Sequence, residues 1–174
     1  MVVWYVRWVA EERRPEKEAT GSTGRCSEKE INQMKEVDKS WLAALIDGEG
    51  CLQIDRQYRV NMYSYFPCIS VSMTDRQMLD KAQMVTGFGK VKVCNRTTKT
   101  GKVIYRLVIR GKNTGEVLNQ IQSYLLIKNK QAQLLLSMCH LIQIRKRKNS
   151  GDLQCARETL FVNNKRLNQR EELI

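Results

Sequence analysis

Apolar and polar positions change period several times along this 174-residue chain. In "SWLAALIDGEG", residues 40–50, Trp41, Leu42, Leu45 and Ile46 recur at helical intervals. That spacing predicts a helix capped by Asp38 or Ser40 and ended by Gly48 and Gly50. "CLQIDRQYRV" then alternates, with Leu52 and Ile54 on one face and Gln53, Asp55, Gln57 and Arg59 on the other. "FPCISVSMT" likewise sets Ile69, Val71 and Met73 against Cys68, Ser70, Ser72 and Thr74. "DRQMLDKAQMV" returns to the helical period through Met78, Leu79, Ala82 and Val85, and Gly87 and Gly89 break it.

Two more alternating runs, "KVKVCNR" and "KVIYRLVIRG", read as a hairpin around "TTKTGK". Val91 and Val93 face one way there, and Lys90, Lys92 and Cys94 the other. Across from them, Tyr105, Leu107 and Ile109 oppose Arg106, Val108 and Arg110. Helices follow around "GEVLNQIQSYL", along "NKQAQLLLSMCHLIQIRKRK", and from about Asp152. The predicted fold class is α+β: a four-stranded sheet with helices on its apolar face and a polar, basic face left open. Residues 38–148 form the expected core and 149–174 a helical segment packing on it. Residues 1–37, rich in mixed charge, read as an extension that is partly disordered or helical.

Charge sharpens this picture. The net charge of +12 lies wholly beyond residue 39, because residues 1–39 carry 8 acidic and 8 basic side chains and the rest carry 10 and 22. Between Arg76 and Lys130 stand 12 basic residues against Asp80 and Glu116 alone. A polyanion is the natural partner for such a field, and a β-ribbon fits the major groove of a duplex. Gln53, Asp55, Gln57, Arg59, Lys92 and Arg106 have the right chemistry to read base edges, and Ser70, Ser72, Lys90, Arg96 and Arg110 extend the same surface.

Other classes recede. The six cysteines show no CxxC pair, which predicts free thiols in a reducing, intracellular compartment and no zinc site. "MVVWYVRWVA" is too short for a membrane span and lacks the leader and cleavage pattern of a secretory signal, so neither membrane nor secretion is expected. His140, in an apolar helical pattern, reads as a packing residue.

"LAALIDGEG", Leu42 to Gly50, resembles the nine-residue signature of the LAGLIDADG homing endonucleases. It departs by Ala44 for Gly, Gly48 for Ala and Glu49 for Asp. One copy of the motif is present, as in the intron-encoded members that work as homodimers. The helix–strand–strand–helix–strand–strand–helix order is also similar to that family's fold.

The motif has a physical logic of its own. Ala44 and Gly48 lie four residues apart, on one helical face with Trp41, where small side chains let a second helix approach closely. Trp41, Ala44, Leu45 and Gly48 are the expected dimer interface. Each Glu49 then meets its symmetry mate, and two converging carboxylates repel unless a cation lies between them. Oxygen ligands suit Mg²⁺, with Mn²⁺ as a substitute.

The resemblance implies a double-strand DNA endonuclease acting by metal-assisted hydrolysis, with Glu49 and the Gly48 carbonyl as metal ligands. It further implies that Lys128, in "YLLIKNKQAQLL", stabilises charge on the phosphate, with Lys130 the lesser candidate. Asp75 stands where the family commonly offers Gln. It serves either as a further carboxylate at the metal or as a cap of the helix starting at Arg76. The run Arg145, Lys146, Arg147, Lys148 is expected to touch flanking phosphates. The rival readings are an RNA maturase and a non-catalytic binding module on the same fold.

Overall fold

The structure, a computed structural model, describes residues 33–59, 62–144 and 151–169. Helix α1 (Glu36–Glu49) runs directly into strand β1 (Gly50–Arg59), which pairs antiparallel with β2 (Met62–Met73). Helix α2 (Arg76–Thr86) leads to β3 (Lys90–Thr97) and β4 (Val103–Arg110), and the four strands lie in the order β1-β2-β4-β3. Helix α3 (Lys112–Ile121), a single 3₁₀ turn (Gln122–Tyr124), α4 (Asn129–Ile144) and α5 (Gly151–Asn168) complete the described residues. The antiparallel α+β sheet with helices on one face agrees with the alternation of the sequence.

The inward rows of the strands meet the inward stripes of the helices in one core. Leu52, Ile69, Val71 and Leu107 pack with Leu42 and Ile46 of α1, Leu79 of α2, Leu118 and Ile121 of α3, and Leu135 and Met138 of α4, all at most 2% exposed. Burying side chains of this size stabilises by about 1.5–3 kcal/mol each, which is what holds the helices to the sheet. α5 lies against α4 and β1.

α1 begins two residues earlier than Asp38. Lys35 occupies the N-cap without a side-chain bond, while Glu36 and Asp38 sit in the first turn, where the helix dipole favours negative charge. Ser40 bonds back to the Glu36 carbonyl and caps nothing. Gly48 stays inside the helix, and Gly50 ends it with ordinary extended backbone (φ −81°). Gly50 is demanded by space: a Cβ there would stand 2.7 Å from the Ile46 oxygen and 2.8 Å from its Cα. That close turn is how a buried helix passes straight into a strand.

Several other expectations are corrected. β2 starts at Met62, four residues before the alternating run was expected to begin, because Tyr63 and Tyr65 also face the helices. Val93 shares the helix-side face with Val91 but lies beyond helical cover, is 62% exposed, and adjoins a register shift in β3. Cys68 sits on the open face yet is 1% exposed. His140 is exposed, not packed. Expectations for residues 1–32 and for Arg145 to Lys148 fall outside the described residues.

Candidate functional site

The turn from α1 into β1 puts Asp47, Gly48 and Glu49 at the lower end of the helix, beside the first row of the open sheet face. Leu42, Ala43, Leu45 and Ile46 point into the core, whereas Ala44, Gly48 and Glu49 are exposed. Leu45, expected at a dimer contact, therefore belongs to the chain's own core. Trp41 is half-buried, with the Lys81 ammonium 4.3 Å from its ring centroid. Val37, 79% exposed, extends the outer face one turn further up through Ala44 and Gly48. That stripe is bare, apolar and small.

Lys128 arrives at the same place from the segment between the 3₁₀ turn and α4. Its Nζ donates to the carbonyls of Ile46 (2.8 Å) and Asp47 (2.7 Å), so it closes the end of α1 together with the Gly50 amide, which also donates to Ile46. No basic residue of α1's own last turn does this. Burial pushes the Lys128 amine below its usual pKa, and the charges of Asp47, Cys51 and Glu49 oppose that push. Asp47 in turn accepts the amide N–H groups of Leu126, Ile127 and Lys128. Burial raises its pKa, but those three bonds together with the Lys128 charge outweigh it, and the carboxyl titrates below the usual value.

Asp75 is the N-cap of α2. Its Oδ1 accepts from the amides of Gln77 (2.8 Å) and Met78 (3.3 Å), contacts worth about 1 kcal/mol. It stands just past β2, at the sheet end where Gly50 pairs with Val71.

The open sheet face gathers the expected strand residues in cross-strand rows. Ser72, Arg106 and Lys92 form one row, and Arg106 Nε donates to Ser72 Oγ at 2.8 Å. Cys51, Ser70, Val108 and Lys90 form the next, nearest Glu49 in sequence. Gln53, Cys68 and Arg110 form a third. Asp55 ties this row together: Gln53 Nε2 donates to its Oδ1 at 2.9 Å, and Arg110 Nη2 lies 3.5 Å from its Oδ2. Further out, Arg59 donates to Gln57 Oε1 at 3.0 Å and stacks on Phe66, 5.6 Å from the ring centroid. Lys90, Lys92, Arg106 and Arg110 are all exposed. Lys130 is exposed in the first turn of α4. Arg96 belongs to β3, but its side chain is outside the described set, as are Arg145 and Lys146.

Sequence reading missed three contributors. Leu126 and Ile127, 88% and 74% exposed, adjoin the foot of α1 through their bonds to Asp47, and Phe66 adds an aromatic surface to the open face. The run "LLI" carried the signal for the first two, an apolar triplet just before the α4 pattern.

Among the described residues no group of three or more His, Cys, Asp and Glu side chains assembles. Glu49 offers an exposed carboxylate and Gly48 a backbone oxygen at a helix end, both hard donors of the type Mg²⁺ and Mn²⁺ take. A second copy across the α1 face would bring an equal set.

The model of the LAGLIDADG-like domain matches residues 36–122, half of the chain, from the start of α1 through α3. The chain belongs to the LAGLIDADG family. Its fold is similar to that of solved homing endonucleases. One is I-CvuI in complex with the I-CreI target, 21% identical, with a TM-score of 0.63 over 76% of this chain and 82% of that one. A second is the archaeal intron-encoded I-Vdi141I complexed with DNA, 12% identical, TM-score 0.64, covering 79% and 86%. A third is I-TnaI, 17% identical, TM-score 0.60, covering 77% and 97%. At these identities the likeness is one of LAGLIDADG fold. No curated protein sequence matches the chain. No helix among the described residues is long and apolar enough to cross a membrane.

Proposed function

We propose that this LAGLIDADG chain is a site-specific, divalent-metal-dependent DNA endonuclease that acts as a homodimer on a long, near-palindromic duplex. The observation that carries the reading is the placement of Glu49. Its exposed carboxylate ends a helix whose outer face is bare and small, at the margin of a basic sheet, with the Lys128 ammonium held at the same helix end. Family membership and the likeness to endonucleases solved on DNA support it. Mg²⁺ and Ca²⁺ are named with the I-CvuI complexes.

The residues divide the work. The exposed α1 face seats a second α1, and Ala44 and Gly48 permit the backbones to approach. The two open sheet faces then continue each other along one duplex, which explains a target with the symmetry of the dimer. Lys90, Lys92, Arg106 and Arg110 bind and orient the DNA, while Gln53, Arg106 and Arg110 reach base edges. Glu49 and the Gly48 oxygen would hold the metal ion beside the scissile phosphate. Bound there, it polarises the phosphate and lowers the pKa of a water molecule. Lys128 keeps a positive charge next to the phosphate as negative charge develops in the transition state.

Selection of cleaved molecules from a randomised DNA library, with Mg²⁺ supplied, tests the reading. A long near-palindromic site, cut by wild type and left whole by Glu49→Gln, is the expected result. A library left uncut under Mg²⁺ and Mn²⁺ would defeat it.

A further inference from the structure

Asp47 and Glu49 crowd two negative charges into the last turn of α1, where the helix dipole already disfavours them. Glu49 has its use at the reaction centre; Asp47 lies one residue from that turn's exposed face and points elsewhere. Its Oδ2 accepts the amides of Leu126 (2.7 Å) and Ile127 (3.2 Å), and its Oδ1 that of Lys128 (2.9 Å). The return leg is the Lys128 ammonium on the carbonyls of Ile46 and Asp47. Five hydrogen bonds thus join two segments some eighty residues apart into a reciprocal clasp.

Apolar packing does not hold residues 126–128 in place. Leu125 before them is buried (3% exposed), and α4 after them starts with the Ala132 amide donating to the Lys128 carbonyl. Between these anchors, Leu126 and Ile127 turn their side chains outward at 88% and 74% exposure. Two adjacent aliphatic side chains held in water beside an exposed helix face make sense if a protein surface covers them. Their direction is set by the backbone bonds to Asp47.

We propose that Asp47 is a positioning residue that couples assembly of the dimer to assembly of the reaction centre. By fixing three consecutive amides it presents Leu126 and Ile127 to the second copy of the chain, and it holds the Lys128 ammonium against the helix end beside Glu49. The inference rests on the endonuclease reading for its catalytic half and on the homodimer for the other. Asp47 takes no part in the chemistry itself.

The test uses Asp47→Asn in the full chain, alongside wild type and the double substitution Leu126→Ser/Ile127→Ser. Asn keeps one acceptor oxygen but turns an NH₂ group toward amides that need acceptors. In a folded Asp47→Asn protein the single-turnover cleavage rate should fall about 100-fold, as a misplacement near 1 Å produces. DNA affinity measured above the dimer constant should stay within about threefold, and the dimer dissociation constant in sedimentation should rise about tenfold. The Ser pair should weaken the dimer as much, without slowing cleavage once dimers are restored by concentration.

A folded Asp47→Asn protein with wild-type rate and dimer constant overturns the proposal. So do parallel losses of rate and affinity, which mark a merely structural residue. If Asp47→Asn fails to fold, the Ser pair decides, and an unchanged dimer constant overturns the proposal. If wild type cuts no DNA, the endonuclease reading falls, and sedimentation of the same proteins still decides the clasp.

Discussion

Asn164 of α5 is bonded to Ile54 of β1: its Oδ1 accepts the Ile54 amide at 2.9 Å, while its Nδ2 donates to the Leu52 carbonyl at 3.1 Å. β1 is an edge strand, and its outward N–H and C=O groups would otherwise stand unpaired under a helix. The side-chain amide stands in for a neighbouring strand, and Asn168 adds a second donor to Leu52 at 3.0 Å. Asn164 is only 2% exposed, so water cannot replace it. Asn164→Leu should therefore destabilise by about 2–4 kcal/mol, since each buried polar group left unpaired costs about 1–3 kcal/mol. Urea unfolding measures this, and Asn168→Ala, with Asn164 still in place, should cost clearly less.

The outer face of α1 gives an independent prediction about assembly. Ala44 is exposed within the chain, so Ala44→Leu should leave the monomer's stability, measured below the dimer constant, nearly unchanged. It should also prevent close approach of a second α1, and sedimentation should report monomers at concentrations where wild type is dimeric. Leu45→Ala has the opposite signature. Leu45 is a core residue, and its truncation should cost about 2–5 kcal/mol of monomer stability.

Asp55 bonds Gln53 and lies beside Arg110, two side chains of the open face proposed to reach base edges. Asp55→Ala should loosen both, lowering discrimination at one base step per half-site by about 1–3 kcal/mol while the affinity for unrelated DNA rises slightly from the lost negative charge. A competition assay over single-substituted targets separates this from a phosphate contact such as Lys130. Lys130→Ala should weaken all targets alike and flatten the salt dependence.

Two buried thiols give a pH dependence. Burial, aided by the charge of Asp55, pushes the Cys68 thiol up to about 11, and burial does the same for Cys139. The folded pKa exceeds the unfolded one, so folding favours the protonated thiol. Their contribution is fully present below about pH 9 and is lost as pH rises toward 11, on the order of 2 kcal/mol per thiol. Unfolding free energies from pH 8 to 11 should fall along this slope. Cys68→Ala should remove about half of the two thiols' share.

Much of this was legible in the chain, and the reason lies in periodicity. Leu52 and Ile54 on β1, Ile69 and Val71 on β2, and Leu107 and Ile109 on β4 alternate with polar partners, so their faces followed directly from the residues. Spacing put Ala44 and Gly48 on one face of α1, and Glu49 was singled out by the resemblance of residues 42–50 to the LAGLIDADG signature. Long-range pairing left weaker marks. Nothing local in "VNNKRLN" says that Asn164 serves β1 across 110 residues, or that Asp47 serves the amides of 126–128. The extent of helical cover is likewise a property of the assembled sheet. That is why Val93 proved exposed, whereas Cys68, on the open face, is buried among its row neighbours Gln53 and Arg110 and the nearby Asp55.

If paired Glu49 carboxylates form the cutting centre, Glu49→Gln should abolish cleavage. Glu49→Gln removes a charge from an exposed position and should leave folding, dimerisation and target affinity near wild type. With Mg²⁺ present, its single-turnover cleavage of the selected target should be undetectable. Cutting at a rate near that of wild type would place the chemistry elsewhere and contradict the account.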